Sequence, residues 1–388
     1  MASKVLISTT MTWAAPARLA GAFAACGAII EALAPRRHPV GASQALSRLH
    51  SYRPLQALSG LREVLEESLP DLIVPCDDRA VRHLVALAKK DARFTELIAR
   101  SIGRLDGYDT LLSRSSFLKE TEQLGIEIPA TMEVATEADL KAVLHTIGLP
   151  AVLKADGSWG GEGVSFAHNF DEAVAAFRHL ALAPSRLRSL ARAAKRQDAN
   201  FLLQAIEPQN YAISIQRFIG GAPATCAFAC WKGEVLASLH MDVVSAQEPA
   251  GPARILHRTT SKPMEDAARK IAKAFNLSGF HGLDFMRDES GALSLIEINP
   301  RATQICHLAL GAGHDLPAAL LAALEDRAES PRTAVTDAQT IALFPQSLPV
   351  GPHFIGAYHD IPAEDPRLLH ALSAHKDIQN LQIALPNT

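Results

Sequence analysis

The stretch Asp284-Phe-Met-Arg-Asp-Glu-Ser-Gly-Ala-Leu-Ser-Leu-Ile-Glu297-Ile-Asn299-Pro-Arg301 decides how the rest of the chain is read. Two apolar runs, Leu283–Met286 and Leu293–Ile298, flank the polar turn Arg287-Asp288-Glu289-Ser290-Gly291, which is the pattern of a β-hairpin. Asp284 falls on the first strand. Glu297 and Asn299 fall two apart on the second, so a period of two points both toward one face. The outcome is a cluster of hard oxygen donors with Arg301 just beyond it. Mg²⁺ takes few oxygens from protein and completes its octahedron with phosphates and water. Two carboxylates beside an amide and a guanidinium therefore suit a metal–triphosphate site. For this stretch taken alone, a charged hairpin edge with a solvated turn is the simpler alternative.

A second landmark lies upstream, in Pro150-Ala-Val-Leu-Lys154-Ala-Asp-Gly157-Ser158-Trp-Gly160-Gly161-Glu-Gly163-Val-Ser-Phe166. A short apolar strand delivers a lysine, and a glycine-rich loop then leads into another apolar strand. Glycines let backbone N–H groups approach phosphate oxygens without a Cβ in the way. Lys154 is a compact charge that can neutralise phosphate beside such a loop. The Walker pattern places its lysine and hydroxyl at the end of the loop, and the dinucleotide pattern opens a helix. Here the lysine comes first and strands flank both sides, so neither pattern applies.

Taken together, the two landmarks resemble the ATP-grasp superfamily over roughly residues 113–325. The match consists of Lys154 with its glycine flap, and of Asp284, Glu297, Asn299 and Arg301 in the form Asp-(x)12-Glu-x-Asn-Pro-Arg. Two further features occur in the right order. Ser113-Arg114-Ser-Ser-Phe117 opens a helix that runs to Gly125-Ile-Glu-Ile-Pro129. Phe201-Leu-Leu-Gln204-Ala-Ile206-Glu-Pro-Gln-Asn210-Tyr is similar to the hinge that packs on adenine. The Asn-Pro-Arg ending looks most like the biotin carboxylase and carbamoyl phosphate synthetase branch and its small carboxylate–amine ligases.

The resemblance implies ATP and Mg²⁺ (or Mn²⁺) as cofactors, with Asp284, Glu297 and Asn299 on the metal. It implies nucleotide contacts from Arg114, Lys154, Gly157, Ser158, Gly160, Gly161, Gly163, Gln204, Ile206 and Asn210. Lys154 and Arg301 would be catalytic, and Arg301 would receive the substrate carboxylate; separately, Arg258 in Arg254-Ile-Leu-His257-Arg258 reads either as a second carboxylate binder or as an exposed loop charge. Members of the superfamily commonly carry glutamate where Gln204 and Asn210 stand; an amide oxygen still accepts the same hydrogen bonds. The implied reaction joins a small carboxylate to an amine through an acyl phosphate, on amino acids or similar small acids. Other ATP-consuming transfer (phosphorylation or carboxylation) and non-catalytic nucleotide binding remain as alternatives. A homodimer is implied by relatives that pair.

Composition agrees with an enzyme of this kind. A chain of 388 residues has room for about two or three domains. Its 48% hydrophobic and 20% charged residues are ordinary for a globular protein. The net charge of −3 favours no polyanion, and no motif indicates nucleic acid. The basic run Arg186, Arg188, Arg192, Lys195 and Arg196 reads as a solvated helix face. Cys26, Cys76, Cys226, Cys230 and Cys306 lack zinc spacing and read as buried residues of a reducing, cytoplasmic protein. Cys226 and Cys230 fall on one face of a strand. Arg18 interrupts the apolar run Ala14–Ile30, which argues against a signal peptide, and nothing is long enough to span a membrane.

The expected fold class is α/β, with α+β character in the ATP-grasp part. Residues 1–112 alternate strand and helix, predicting a parallel sheet: strands at Val5–Ser8, Ala28–Leu33 and Asp71–Pro75, and helices at Trp13–Cys26, Leu55–Ser68 and Ala80–Lys89. Ligands bind at the carboxyl ends of such strands, here the loops Thr9–Thr12 and Pro75–Arg79. Asp77 and Asp78 suit either an amine or a helix N-terminus. Residues 113–328 form the ATP-grasp domain, with a flap lobe over about 131–205 and a metal-binding lobe over about 206–328. Helices are expected at Ala267–Phe275 and Gly311–Leu324. Residues 329–388 form an extension with a strand near Ile341–Phe344 and a helix near Pro366–Ala374. His281, His307 and His314 read as packing or supporting groups, because imidazole is a poor ligand for Mg²⁺.

Overall fold

A computed structural model describes residues 2–156, 163–181, 212–247, 251–348 and 356–374. The first part of the chain runs β1 (Lys4–Ser8), α1 (Ala15–Ala25), β2 (Ile29–Ala34), β3 (Leu46–Ser51), α2 (Ala57–Ser68), β4 (Leu72–Pro75), α3 (Asp78–Lys90), α4 (Thr95–Ile102) and α5 (Tyr108–Leu111). The four strands form a parallel sheet in the order β3-β2-β1-β4. The chain leaves β1 toward β2 on one side and returns to β4 on the other. The crevice where ligands bind in open α/β sheets thus opens at the carboxyl ends of β1 and β4. The expected elements occur within a few residues of their predicted limits, but β3 was not anticipated. Only His50 is buried along its sequence Leu-Ser-Arg-Leu-His-Ser, so this edge strand carries no apolar alternation.

A second, smaller sheet follows. It contains β5 (Thr131–Val134), β6 (Ala151–Ala155), β7 (Val164–Ala167) and β8 (Ile213–Arg217), antiparallel in the order β5-β8-β6-β7. The helices α6 (Arg114–Gln123), α7 (Glu137–Ile147) and α8 (Phe170–Ala181) accompany these strands in sequence. Leu153, Ile213 and Ile215 pack with Leu140, Leu144 and Phe177 into a core of the small lobe's own. Residues opposed across an antiparallel pair share a face. The registers Thr131↔Gln216, Glu133↔Ser214 and Lys154↔Ser214 therefore put these polar residues on the other face, together with Val152, Val164 and Phe166.

The largest sheet is built from β9 (Ala222–Trp231), β10 (Glu234–Ala246), β11 (Ala253–Arg258), β12 (Gly279–Arg287), β13 (Leu293–Asn299), β14 (Thr340–Ala342) and β15 (Tyr358–His359). Its order is β13-β12-β9-β10-β11-β14-β15. Helices α9 (Lys262–Phe275), α10 (Leu316–Leu324) and α11 (Pro366–Ala374) follow in the second half of the chain. The strand expected near Ile341 thus extends the large sheet at β11. Helix α10 starts later than the apolar run beginning at Gly311 suggests. Gly311 and Gly313 hold φ of +102° and +73°, outside the helical region, and Asp315 then caps the helix by accepting from the Ala318 N–H.

Both faces of the large sheet are covered. Alternate residues of β9 go to different cores: Ala227 and Ala229 pack with Val5, Ile7 and Phe23, while Cys226, Phe228 and Cys230 pack with Leu6, Leu84 and Ile271. The two cysteines thus share one buried face, as their spacing indicates. Each core mixes residues of the first sheet with residues of the large one. The join is tight at Gly103, whose φ is +97° and where a Cβ would lie 2.4 Å from the Asn276 carbonyl oxygen.

Candidate active site

The hairpin is β12–β13, and its ladder sets Asp284 directly opposite Glu297 and Gly282 opposite Asn299. The register slips between Asp284 and Phe285, which pairs with Leu295 and leaves Ile296 over. Strict alternation would turn Leu295 the same way as Glu297. The extra residue, acting as a β-bulge, instead sends Leu295 into the core with Phe285 and leaves Glu297 beside Asp284. Gly282 is required on this face: a Cβ there would lie 2.4 Å from Thr303 Cγ2.

Two carboxylates on facing positions cannot share their charge evenly. Burial and the neighbouring Glu297 push the Asp284 carboxyl up to about 6. Burial works the same way on Glu297, but Arg114 and Lys154 outweigh it and hold that carboxyl below its usual value. Arg114, at the start of α6, stands between the lobes. Its Nη2 donates to Glu297 Oε2 at 3.1 Å and its Nη1 to Asp156 Oδ1 at 3.0 Å. Lys154 is 6% exposed. Burial lowers its ammonium to about 8, against the pull of Glu297. Its Nζ donates to Gln216 Oε1 at 2.9 Å, and Gln216 Nε2 donates across the seam to the carbonyl of the bulged Ile296 at 3.4 Å.

Asn299 orients its neighbours. Its Nδ2 donates to Asp284 Oδ2 at 2.9 Å, and its Oδ1 accepts from Arg301 Nη2 at 2.8 Å. Arg301 Nε donates to Asp78 Oδ1 at 2.8 Å. Asp77, next in the chain, serves the scaffold instead. It caps α3 through the Ala80 N–H and accepts from both threonines of the β1 loop, Thr9 and Thr10. Of the acidic pair weighed from sequence, Asp78 alone lines the cleft.

Asp78, Arg114, Asp156, Asp284, Glu297, Asn299 and Arg301 line a cleft of about 500 Å³ that also takes in Arg82 and Thr225, and Lys154 and Gln216 are not among its lining residues. Among the described residues no three of His, Cys, Asp and Glu are clustered to hold a metal, so an all-protein cage is absent there. Two facing carboxylates suit Mg²⁺, which draws its remaining ligands from phosphate and water. An Asn299 oxygen on the same ion would share its second lone pair with the bond from Arg301.

Asp284, Glu297, Asn299, Arg301, Arg114 and Lys154 are thus brought together from four segments. Gly163 lies at the base of the flap, where its carbonyl accepts from the Ala155 N–H. Gly157, Ser158, Gly160, Gly161, Gln204, Ile206 and Asn210 lie outside the described residues, as does the basic run 186–196. Arg258 is not among the cleft-lining residues. It ends β11, some 16 Å along the strand from Ala253, which follows the cleft-lining Gly251 and Pro252, whereas Arg301 lines the cleft together with Arg82 and Arg114. His281 points into the core, where its Nε2 bonds the Ser278 carbonyl and burial lowers it to about 4. His307 pairs with Asp360, and His314 with the Ser238 carbonyl. Asp156, Gln216 and Arg82 carry no signal in the sequence. Each is an ordinary polar residue that only the folded chain brings to the cleft or its seam.

A lysine-bearing small sheet facing an acid-lined ribbon defines the ATP-grasp class of fold. Residues 113–316, more than half of the chain, match the family described as carbamoyl-phosphate synthase L chain, ATP binding domain, and the chain belongs to it. Acetyl-CoA carboxylase 1 of Oryza sativa subsp. japonica is 25% identical over 211 residues, which is 52% of this chain and 8% of that protein. The carbamoyl phosphate synthase large chain of Vibrio vulnificus (strain CMCP6) is 28% identical over 114 residues, 29% of this chain and 11% of that one. The chain therefore spans only a small part of these relatives.

Solved structures extend the likeness of fold over most of the chain. The N5-carboxyaminoimidazole synthase of Aspergillus clavatus, in complex with ADP and 5-aminoimidazole ribonucleotide, gives a TM-score of 0.62 at 16% identity, covering 85% of this chain and 78% of that one. The biotin carboxylase domain of the Hydrogenobacter thermophilus 2-oxoglutarate carboxylase, in complex with MgADP and bicarbonate, gives 0.61 at 15% identity over 84% and 71%. The L-amino acid ligase of Bacillus licheniformis gives 0.57 at 14% identity over 85% and 75%. Among the described residues no helix is long and apolar enough to cross a membrane.

Proposed function

We propose that the protein is an ATP-dependent ligase that joins a small carboxylate to an amine. The observation that carries this is the facing pair Asp284 and Glu297, set in one cleft with Arg114 and within the electrostatic reach of the buried Lys154. Carboxylates and guanidinium groups lining one cleft suit a bound metal–triphosphate, in which the cation and the phosphate oxygens each need a partner.

The nucleotide, when bound with Mg²⁺, supplies a phosphoryl group that turns an unreactive carboxylate into an acyl phosphate. Asp284 and Glu297 would hold the metal, with Asn299 fixing the orientation of Asp284 and Arg301. Lys154 and Arg114 would neutralise phosphate oxygens, and phosphoryl transfer depends mainly on such positioning and neutralisation. Arg301 has five N–H groups, of which three are engaged by Asp78, Asn299 and the Ala302 carbonyl. The remaining two are available to a substrate carboxylate. The small lobe closing over the cleft would exclude water that hydrolyses the activated acid.

The test is phosphate release from ATP with mixed amino acids and small acids, followed by mass spectrometry. A product equal to acid plus amine minus water supports the ligase. A product equal to substrate plus phosphate replaces it with a kinase. A gain of carbon dioxide from bicarbonate replaces it with a carboxylase, and nucleotide binding without turnover removes the enzyme reading.

A further inference from the structure

One flank of the cleft is built by residues outside the family-matched segment 113–316. The loop after β1 contributes Trp13, the first turn of α3 contributes Asp78, and Pro39, Pro345, Gln346 and Leu372 complete the wall. This flank adjoins the hairpin: the Arg301 guanidinium lies over the Trp13 ring, 5.9 Å from its centroid, within cation–π range.

Three properties of the flank narrow its ligand. It carries an opposed pair of charges, Asp78 and Arg301, 2.8 Å apart, with side chains 29% and 15% exposed. A zwitterion laid against such a pair in the opposite sense satisfies both members. A simple fatty acid or a sugar phosphate would set its own anion against Asp78. The wall beside the pair is apolar, formed by Trp13, Pro39, Ile305 and Leu372, and Trp13 rests on the large core beneath, which fixes it as a rigid surface. Trp13 Nε1 and Gln346 Oε1, one donor and one acceptor, are buried in this wall without partners. Buried polar atoms are rarely left so, and the Gln346 side chain, which lines the cleft, can turn its amide toward a ligand.

We propose that this flank is the subsite of the non-nucleotide substrate and that it takes a free α-amino acid with a large apolar side chain. The ammonium meets Asp78, the carboxylate lies beside Arg301 and faces the hairpin, and the side chain packs on Trp13. The assignment rests on the ligase reading, since it names the substrate class for the same cleft.

The experiment is calorimetric titration of the full chain, with MgADP present, using L-leucine, L-phenylalanine, glycine, L-glutamate and N-acetyl-L-leucine. Leucine and phenylalanine should bind about 10–200-fold more tightly than glycine, the usual yield of an apolar pocket. N-acetyl-leucine, lacking the ammonium, should bind at least about tenfold more weakly than leucine. Trp13→Ala should erase the preference for leucine over glycine while MgADP still binds, and Trp13→Phe should keep it. Should Trp13→Ala fail to fold, Trp13→Phe and the wild-type series decide the matter. Equal binding of glycine and leucine, tighter binding of glutamate, or no binding of any amino acid while MgADP binds would overturn the subsite. The two readings fail separately. Leucine bound but never joined to an amine removes the ligase and leaves the subsite, whereas ligation of polar acids indifferent to Trp13 does the reverse.

Discussion

The small lobe and the body of the molecule are held together in different ways. In the body, the N-terminal sheet and the large sheet share two apolar cores, so that Phe23 meets Phe280 with ring centroids 5.7 Å apart. The small lobe has a core of its own and joins the body along a polar seam: Arg114 to Asp156, Ser115 to Glu133, and Gln216 to the Ile296 carbonyl. Apolar burial is lost all at once when two layers separate, whereas water can replace polar contacts one by one. The body should thus behave as one cooperative unit, and the lobe as a second unit able to open at lower cost.

Core truncations probe this contrast most strongly. Phe280→Ala in the body should cost about 3–5 kcal/mol and lower the main unfolding transition. Leu153→Ala in the lobe should cost about 2–5 kcal/mol, read as faster hydrogen exchange in β5–β8 with the body transition unmoved. A single transition shifted equally by both would show that the lobe has no independence. Glu297→Gln keeps the fold and removes one acid from the ribbon; ATP turnover should fall on the order of a hundredfold or more. Undiminished phosphate release would take Glu297 out of the site.

Smaller effects sharpen the seam itself. Lys154 holds its proton only up to about pH 8 in the fold, so its charge is present below that pH and fades above it. Nucleotide affinity measured from pH 7 to 9 should fall across about pH 8 in the wild type and stay flat, at the lower level, in Lys154→Ala. The stability sign is opposite. Between about 8 and the ordinary 10.5 the unfolded chain keeps a proton that the native chain has lost, so this group's contribution to stability rises with pH in that window. Gln216→Ala removes the link from Lys154 to the hairpin and should weaken nucleotide binding by no more than about tenfold, the worth of one neutral hydrogen bond. A hundredfold loss would make Gln216 a direct ligand contact.

What the sequence revealed follows the range of the interactions concerned. The hairpin acids were legible because a strand's period of two is local, and α6 began where Ser113 caps it through the Ser116 N–H. Helix α9 starts at Lys262, five residues before the expected Ala267: Ser261 caps it, and Pro263 occupies a first-turn position where a missing N–H costs nothing. The bulge at Ile296 was not read, although Leu293, Leu295 and Ile298 cannot all face the core without it. The Asp78–Arg301 pair joins residues 223 positions apart, and no local pattern announces such a crossing. Asp77 and Asp78 are neighbours of one chemical type, and only the fold gives one to a helix end and the other to the cleft.

Hydrogen–deuterium exchange of the full chain with and without MgATP tests the central claim most directly, because it reads both walls of the cleft at once. Residues 151–155 and 163–167 of the small sheet, and 279–299 of the hairpin, should all become protected, and Glu297→Gln should reduce that protection. Nucleotide binding that protects neither wall, or only the N-terminal sheet, would contradict the placement of the metal–triphosphate between lobe and ribbon.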